Sequence, residues 1–406
     1  MHKSRLIPVA ELRVGMFVSK LDRDWLETPF LLQGFSIEEE SDIDEVARYC
    51  ESVWIDEVRS SVTQKEPTTA KTPFLHRLRE DIFAPEVPLQ DEHKRVINTF
   101  KKARVLTKRI LQEFQAGAIV DAGAAKDTVD QCVDSVIRHP DALLWMSKIR
   151  RESEYTAEHC LNVCILAVAF GRQLELSRED LSILGMCALL HDVGKMKVPR
   201  SILDKPGKLT DKERRLMMMH SVHGRNLLLR SKGISDIVVD VAYSHHERVD
   251  GRGYPRSLQG AEISRFAKIV ALVDAYDAMT ADRCYQPAKT STEAMRIIYE
   301  ERGSHFDEEL TLQFIRMLGI YPVGSIVELH SGNVGIVIES NTRYKQLPKV
   351  LLKRDSSKEA LDKEVTVDLA RIESGDLGRE FLIKRVWKDN SFGLSVNSYL
   401  EHGLFL

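Results

Sequence analysis

Histidines and aspartates are the residues of this 406-residue chain whose spacing best suits chemistry. Six of its thirteen histidines fall between His159 and His246, and the sharpest groups are His191-Asp192 and His245-His246-Glu247. Neighbours in the middle of a helix point about 100° apart, so adjacent ligands suit the end of a helix. There a carboxylate can bridge two ions while the imidazole beside it binds one. Imidazole and carboxylate without thiolate indicate iron, manganese or zinc.

The alternative for each histidine is an ordinary structural residue. A lone histidine in an apolar helix is usually a satisfied core residue, and a His-Asp pair by itself carries little information. His159 and His191, however, lie in or at the end of very apolar segments, where an unsatisfied ring costs roughly 1–3 kcal/mol. Metal coordination would satisfy these rings. Spacing alone leaves either His220 or His223 as the ligand of the next segment.

Long helices must position these residues. Residues 157–318 read as a succession of helices, of which 159–170 and 181–191 are apolar nearly all round and should be buried. Capping-box spacings at Thr210–Glu213 and Thr290–Glu293 predict two helix starts. Before this region, short β-like runs at 6–9, 16–20 and 52–55 surround an acidic helical segment at 38–50. After it, alternating β-branched runs at 325–329, 334–338, 350–352 and 364–367 predict strands.

The sequence therefore predicts a multidomain chain. Residues 1–61 form a small α/β module, 62–75 a Ser-, Thr- and Pro-containing linker, 76–320 an all-α bundle, and 321–406 a small β-rich module. The tail beyond residue 380 allows no assignment from its pattern. The N-terminal module contains no recognisable ligand-binding chemistry, so regulation, docking of a signalling partner and formation of a homodimer are all open to it.

Composition limits the partners. The net charge is −3 and the pI near 6.5, so no overall basic field attracts DNA or an anionic membrane. The six cysteines form no CxxC pair, which favours free thiols in a reducing compartment. The apolar stretches are too short to span a bilayer, and the N-terminus has no signal-peptide pattern. We expect a cytoplasmic protein.

Four blocks of sequence resemble a known family. The segment from His191 to Lys195 is similar to the HDxGK signature of HD-domain phosphohydrolases. Residues 245–255 match the HHExxDGxGYP signature of the HD-GYP subgroup without a gap, including the loop residues Asp250, Gly251, Gly253, Tyr254 and Pro255. Segments at 273–280 and 303–307 resemble two further blocks in the expected order. The resemblance covers roughly residues 127–318 and implies the HD-type helical fold for the central bundle. Residues 1–60 also resemble a small domain of unknown function often found ahead of HD-GYP domains.

The resemblance implies a ligand set for two divalent metal ions. One would be held by His159, His191, Asp192 and Asp274, and the other by Asp192 as a bridge together with His220, His245 and His246. His220 is preferred over His223 because the family's ligand precedes a glycine by four positions, here Gly224. Family members with a third metal carry a glutamate where this chain has Tyr155, so we expect two ions. Iron or manganese fits best, with zinc, nickel, cobalt and magnesium as alternatives.

The resemblance also implies an activity. HD-GYP proteins hydrolyse cyclic di-GMP, so we expect a phosphodiesterase that yields linear pGpG, with GMP as a further end product to be tested. In this reaction a water bridging the two ions, held by Asp192, would attack the phosphate. Lys195 would contact the scissile phosphate or protonate the leaving oxygen, although a solvated lysine after a helix end is the alternative.

Four residues are expected to contact the substrate: Tyr254, Asp277, Arg283 and Gln286. Tyr254 could equally belong to a turn that orients His245 and His246. The family's usual Arg-Pro-Tyr-Arg reads Arg283-Cys284-Tyr285-Gln286 here, and loss of the second cation should weaken or alter the grip on the dinucleotide. Two rival hypotheses therefore remain. One is a hydrolase of another cyclic dinucleotide or nucleotide, and the other is a non-catalytic module whose GYP loop docks a signalling partner.

Overall fold

A computed structural model describes residues 4–23, 34–37, 39–57, 60, 85–117, 122–148, 155–282, 287–341 and 343–396. The chain divides into two compact units, Met1–Ala84 and Pro85–Leu406. The predicted linker at 62–75 lies outside the described residues, and the predicted boundaries at 61, 75 and 320 stay predictions.

The described residues of the first unit form a small antiparallel sheet and an α-helix. Its strands are β1 (Ser4–Pro8), β2 (Phe17–Leu21), β3 (Phe35–Ser36) and β4 (Ser52–Asp56), in the order β1-β4-β2-β3. The helix α1 (Glu40–Tyr49) begins with a capping box in which Glu39 and Asp42 satisfy each other's backbone N–H groups. The α/β character predicted for this region is confirmed.

The second unit begins with a long run of helices, as the sequence predicts. They are α2 (Leu89–Gln115), α3 (Ala122–Arg138), α4 (Pro140–Met146), α5 (Tyr155–Gln173), α6 (Arg178–Leu190), α7 (Arg200–Leu203), α8 (Asp211–Met218), α9 (His220–Leu228), α10 (Asp236–Ser244), α11 (Arg265–Thr280), α12 (Ser291–Glu300) and α13 (Glu308–Leu318).

The centre of the bundle is α5. Its residues from Leu161 to Phe170 are all buried, because a helix that is apolar all round can only be satisfied by neighbours on every side. Helices α2, α3, α6 and α11 pack around it. The predicted capping boxes are present at Thr210 and Thr290, which open α8 and α12. None of the described helices combines the length and apolarity that crossing a membrane requires.

A five-stranded antiparallel sheet follows the helices within the same compact unit. Its strands are β5 (Ile326–Leu329), β6 (Val334–Glu339), β7 (Lys349–Arg354), β8 (Ala360–Asp368) and β9 (Ile383–Trp387), in the order β8-β7-β6-β5-β9. The first four correspond to predicted strands. Strand β9 lies in the tail that the sequence left unassigned, because its side chains are half-buried or exposed and leave no clear apolar alternation. The predicted fold class is confirmed.

Candidate metal centre

Helix ends supply most of the candidate ligands. His159 lies in the second turn of α5, His191 directly follows α6, and Asp192 precedes a 3₁₀ turn over Val193–Lys197. His220 opens α9, and His245-His246 follow the end of α10, while Asp274 lies within α11. A helix end frees two adjacent residues to face one point, which resolves the orientation problem posed by the His-Asp and His-His pairs.

The structure brings all seven predicted ligands together. They form three overlapping groups, in each of which the ligand atoms lie within 4.8 Å of one another: His159, His191 and Asp192; His191, His245 and Asp274; and His220, His245 and His246. His223, the alternative to His220, is half-buried and does not join any of these groups. Four helix ends and one helix interior therefore converge on one small volume.

Asp192 stands between the two halves of this cluster. Its Oδ2 atom lies 3.4 Å from His159 Nε2 and 3.3 Å from His191 Nε2. Its Oδ1 atom lies 3.4 Å from His220 Nε2 and 3.8 Å from His245 Nε2. Each carboxylate oxygen thus faces a different pair of imidazoles, the arrangement expected of a carboxylate shared by two ions. Asp274 Oδ1 completes the first half at 3.0 Å from His159 Nε2.

The far nitrogens of four histidines are fixed by hydrogen bonds. The Nδ1 atoms of His191 and His220 lie 2.7 Å from the carbonyl oxygens of Ala188 and Met217, and His245 Nδ1 lies 3.1 Å from that of Ala242. His159 Nδ1 lies 2.8 Å from Asp277 Oδ2. An Nδ1 that donates to oxygen leaves Nε2 as the lone-pair atom, which is the tautomer that binds metal.

Gly194 lets two ligand-bearing segments approach each other. A side chain at Gly194 would collide with the His220 carbonyl and with the backbone nitrogen of Gly224. The turn after Asp192 therefore packs directly on the backbone of α9. This contact explains why a glycine stands two residues after Asp192. It is a steric requirement that holds Asp192 and His220 at one site.

The acid–base states of His245, His246 and Asp192 suit cation binding, whereas the pKa of His159 is raised by its carboxylate partners against the effect of burial. Burial, aided by neighbouring imidazoles, lowers the pKa of His245 well below its usual range and that of His246 to about 3. Burial alone would raise the pKa of Asp192, but Lys195 and the neighbouring histidines outweigh it and hold that pKa well below its ordinary value. Neutral imidazoles beside an ionised carboxylate are the forms in which these side chains bind divalent ions.

Buried polar atoms without hydrogen-bond partners indicate that the cluster fits a metal ion. The buried Nε2 of His191 and Oδ1 of Asp192 have no hydrogen-bond partner among the described residues. Buried polar atoms are normally satisfied, and each orphan costs about 1–3 kcal/mol. Both atoms face the interior of the cluster, where a cation would satisfy them. Two groups of nitrogen and oxygen donors that share one carboxylate can hold metal ions.

The residues predicted to act on substrate have different environments. Lys195 Nζ donates a hydrogen bond to Asp192 Oδ2, so its charge lies at the centre. Asp277 is 2% exposed and faces His159, which offers a substrate little access and favours an orienting role over the predicted substrate contact. Arg283 and Gln286 lie outside the described residues.

The loop over 250–255 packs against the histidine pair. Tyr254 stacks on His246, with ring centroids 4.7 Å apart and planes 26° apart, and its backbone N–H donates to the His246 carbonyl at 3.2 Å. A Cβ at Gly253 would collide with the backbone of Glu247, so the loop needs glycine there. Both proposed roles of Tyr254 remain compatible with this position, because the stacking orients His246.

Asp250 shapes the start of this loop. Its carboxylate accepts hydrogen bonds from the Arg248 side chain at 2.8 and 3.1 Å and from the Arg252 backbone N–H at 3.0 Å. Gly251 has φ +75°, a conformation that side chains rarely adopt. The residue after Tyr254 is a cis proline, Pro255. These contacts give the loop one defined path beside the centre.

Glu247 is a functional candidate that the sequence did not single out by role. It is buried, and its carboxylate accepts hydrogen bonds from the backbone N–H groups of Arg256 at 2.6 Å and Leu258 at 2.9 Å. It thereby closes the loop onto the histidine pair. In the sequence, the signal that could have pointed to Glu247 was its position next to two candidate ligands. That position suggests metal coordination, whereas the backbone donors are revealed only by the path of the loop.

Comparisons with known proteins agree with this geometry. A family model described as "HD domain" matches residues 142–310, and one described as "Domain of unknown function (DUF3391)" matches residues 4–125. The chain is 37% identical over 407 aligned residues to "Cyclic di-GMP phosphodiesterase PA4108" of Pseudomonas aeruginosa, covering 98% of both chains. The chain belongs to the HD-GYP family of cyclic di-GMP phosphodiesterases.

Other similarities cover a smaller part of this HD-GYP protein. "3'3'-cGAMP-specific phosphodiesterase 3" of Vibrio cholerae is 36% identical over 42% of this chain and 37% of its own length. The solved structure of Bd1817, an HDG"Y"P protein from Bdellovibrio bacteriovorus, covers 78% of this chain and 99% of that chain, with 16% identity and a TM-score of 0.47.

Proposed function

We propose that this protein hydrolyses cyclic di-GMP to linear pGpG at the His/Asp centre, with two divalent ions, iron or manganese, as its cofactors. The observation that carries the proposal is the position of Asp192, whose two carboxylate oxygens face two different groups of imidazoles. The full-length similarity to a protein named as a cyclic di-GMP phosphodiesterase supports the choice of substrate.

The candidate ligands divide between the two ions. His159, His191 and Asp274 would hold one, His220, His245 and His246 the other, and Asp192 both. Two bound ions supply a nucleophile at neutral pH and neutralise negative charge on the phosphodiester. The carbonyl and carboxylate partners of the Nδ1 atoms keep each Nε2 directed at the centre, so the ligands need no rearrangement before binding.

Lys195 is the candidate proton donor. Its Nζ lies at Asp192 Oδ2, and its side chain is 21% exposed, so it borders both the centre and the solvent. An ammonium at this position can donate a hydrogen bond to a phosphate oxygen and pass a proton to the leaving 3′ oxygen. Tyr254, stacked on His246, offers its ring edge and hydroxyl at the rim, where a guanine or phosphate would lie.

A second candidate substrate is 3′3′-cGAMP. It is favoured by the similarity of 42% of this chain to a Vibrio cholerae phosphodiesterase named for that substrate. The substitution of Gln286 for the family's second arginine also alters the side chain expected to grip the dinucleotide. Both candidates use the same centre and differ in one base.

The test is to load the purified protein with iron(II) or manganese under reducing conditions and to assay both cyclic dinucleotides, with the products identified by mass spectrometry. We expect turnover of cyclic di-GMP to pGpG, and continued incubation would reveal any further conversion to GMP. Failure of the metal-loaded protein to hydrolyse either compound would refute the proposal and favour the non-catalytic alternative.

Two histidines three residues apart provide a matched pair of variants. His220→Ala removes a candidate ligand, while His223→Ala removes an imidazole that stands outside the cluster. We expect the first to lose bound metal and activity and the second to retain both. Asp192→Ala should lose both ions together, because it removes the shared carboxylate. Equal metal content in all four proteins, wild type included, would contradict the assignment of the centre.

A further inference from the structure

Helix α2 has one buried face that follows heptad spacing. Eight of its buried residues alternate by four and three positions: Leu89, His93, Val96, Phe100, Ala103, Thr107, Ile110 and Phe114. Glu92 and Leu111 are also buried and lie beside this row. This seam packs into the bundle against α3, α4 and α5. Outer positions seven residues apart also lie close to one line along the helix, with a drift of about 20° around the axis per repeat.

Every charged residue exposed on α2 between positions 94 and 112 is basic, and the other exposed residues there are Asn98, Val105 and Gln112. Two adjacent outer positions of each of three consecutive repeats carry a cation, and all six side chains are exposed: Lys94, Arg95, Lys101, Lys102, Lys108 and Arg109. No acidic residue occurs from 94 to 112. We call these six residues the basic face. At 1.5 Å per residue, its pairs repeat about every 10.5 Å along the helix.

Such uniformity is unusual for a merely solvated surface. Solvent-facing positions of helices usually mix both signs, because ion pairs along the helix are stabilising and like charges repel. Here Arg109 has an ion pair with Glu113 at 3.2 Å, but its side chain is 57% exposed, and a pair so exposed contributes little. Val105, 67% exposed, lies between the second and third basic pairs. The face therefore combines periodic positive charge with a central apolar contact.

We propose that the basic face binds an acidic α-helix of a partner protein. A partner helix laid along α2 would present acidic residues with the same seven-residue period, so that its pairs meet the basic pairs in register. An apolar side chain at the matching position would cover Val105. The regular interval suits a helical partner, because seven residues of a helix rise by the same distance of about 10.5 Å.

Other anionic partners fit less well. A nucleic-acid-binding protein usually has an excess of positive charge over the whole domain, whereas this chain has a net charge of −3. Aromatic side chains, on which unpaired bases stack, do not occur among the exposed residues of α2 from 94 to 112. A membrane-surface helix inserts an apolar face, and the apolar face of α2 is buried in the bundle.

The location of the basic face connects it to the metal centre. On the inner side of α2, Arg104 Nη1 lies 3.6 Å from Oε1 of Glu158, the residue that precedes His159. Helix α2 also packs against the turn Val193–Lys197, which follows Asp192. A partner on the outer face would therefore bind a helix whose inner face contacts two ligand-bearing segments.

The test uses a designed peptide of about three heptads. It carries a glutamate pair every seven residues and one leucine per repeat, and its control has the same composition in permuted order. Binding to the full-length protein would be measured by fluorescence anisotropy. We expect the periodic peptide to bind the wild type at least about tenfold more tightly than the permuted one, and binding to weaken about tenfold or more in K101E/K102E.

Matched variants separate this surface from general electrostatics. K384E/R385E changes the net charge equally on the distant strand β9, and it should leave peptide binding unchanged. V105S should weaken binding without changing its salt dependence. Equal binding of the periodic and permuted peptides would overturn the proposal. The proposal would also be overturned if a single-stranded RNA or an anionic lipid vesicle bound in a manner that requires Lys101 and Lys102 while the periodic peptide did not bind.

Discussion

Asp277 provides the sharpest test of how the centre is built. Its buried carboxylate lies 2.8 Å from His159 Nδ1, so Asp277→Asn keeps the shape and an acceptor but removes the charge. A neutral hydrogen bond contributes about 1 kcal/mol and a charged one about 1.5–3 kcal/mol. The substitution should therefore cost about 1–2 kcal/mol of ligand orientation, which corresponds to about 5- to 30-fold weaker metal binding.

The assay is competition with a chelator of known affinity, followed by steady-state kinetics at saturating metal. If Asp277 orients His159, the variant should bind metal more weakly and have a lower kcat at limiting metal. At saturating metal, its KM should equal the wild-type value. A substrate-contacting residue predicts the opposite, namely unchanged metal affinity and a raised KM. The second pattern would refute the orienting role that burial assigns to Asp277.

Three further changes test other parts of the account. Gly194→Ala should lower the free energy of unfolding by about 1–3 kcal/mol and reduce bound metal, because its Cβ meets the His220 carbonyl; urea unfolding and metal content that match the wild type would contradict the close approach. In the metal-free protein, the buried histidines with lowered pKa make the protein less stable as the pH falls below about 6.5. The pKa of His159 is raised by its carboxylate partners against the effect of burial, so its contribution to stability is lost as the pH rises above that value. The temperature of thermal unfolding should therefore be highest near pH 6.5–7. Its decline above that pH should be smaller in His159→Gln, and an unchanged decline would contradict this assignment. Arg283→Ala should raise KM for the cyclic dinucleotide and leave metal content unchanged, as measured by kinetics beside elemental analysis, and a fall in metal content would argue against a substrate role.

The helical fold was predictable because its signals are local. The apolar residues of α5 and α6 repeat densely enough to require burial, and Thr210 and Thr290 mark helix starts through contacts only three residues long. Strand β9 was not predictable, because it pairs with β5, more than fifty residues earlier, through the backbone while its side chains stay largely exposed. Backbone pairing of this kind leaves little trace in residue type.

The candidate site divides in the same way. The motifs around His191 and His245 predicted which residue types should converge, and the structure brings those side chains together. The partners behind them could not be predicted, since carbonyl oxygens such as those of Ala188 and Met217 belong to any residue. The steric role of Gly194 was equally hidden. A motif records that glycine is needed there without recording what lies against it.

If the centre holds two ions as proposed, Asp192 would be shared between them, and this has a consequence for how the centre fills. Its two oxygens belong to one rigid carboxylate, so an ion taken up on one side fixes the torsion angle of the group for the other side as well. The Asp192 side chain then has to be ordered only once, which favours binding of the second ion. The repulsion between the positive charges of the two ions opposes it. Metal titration should consequently be coupled and not the sum of two independent isotherms. Whether only one half is occupied would depend on the supply of metal to the protein as well as on its affinity.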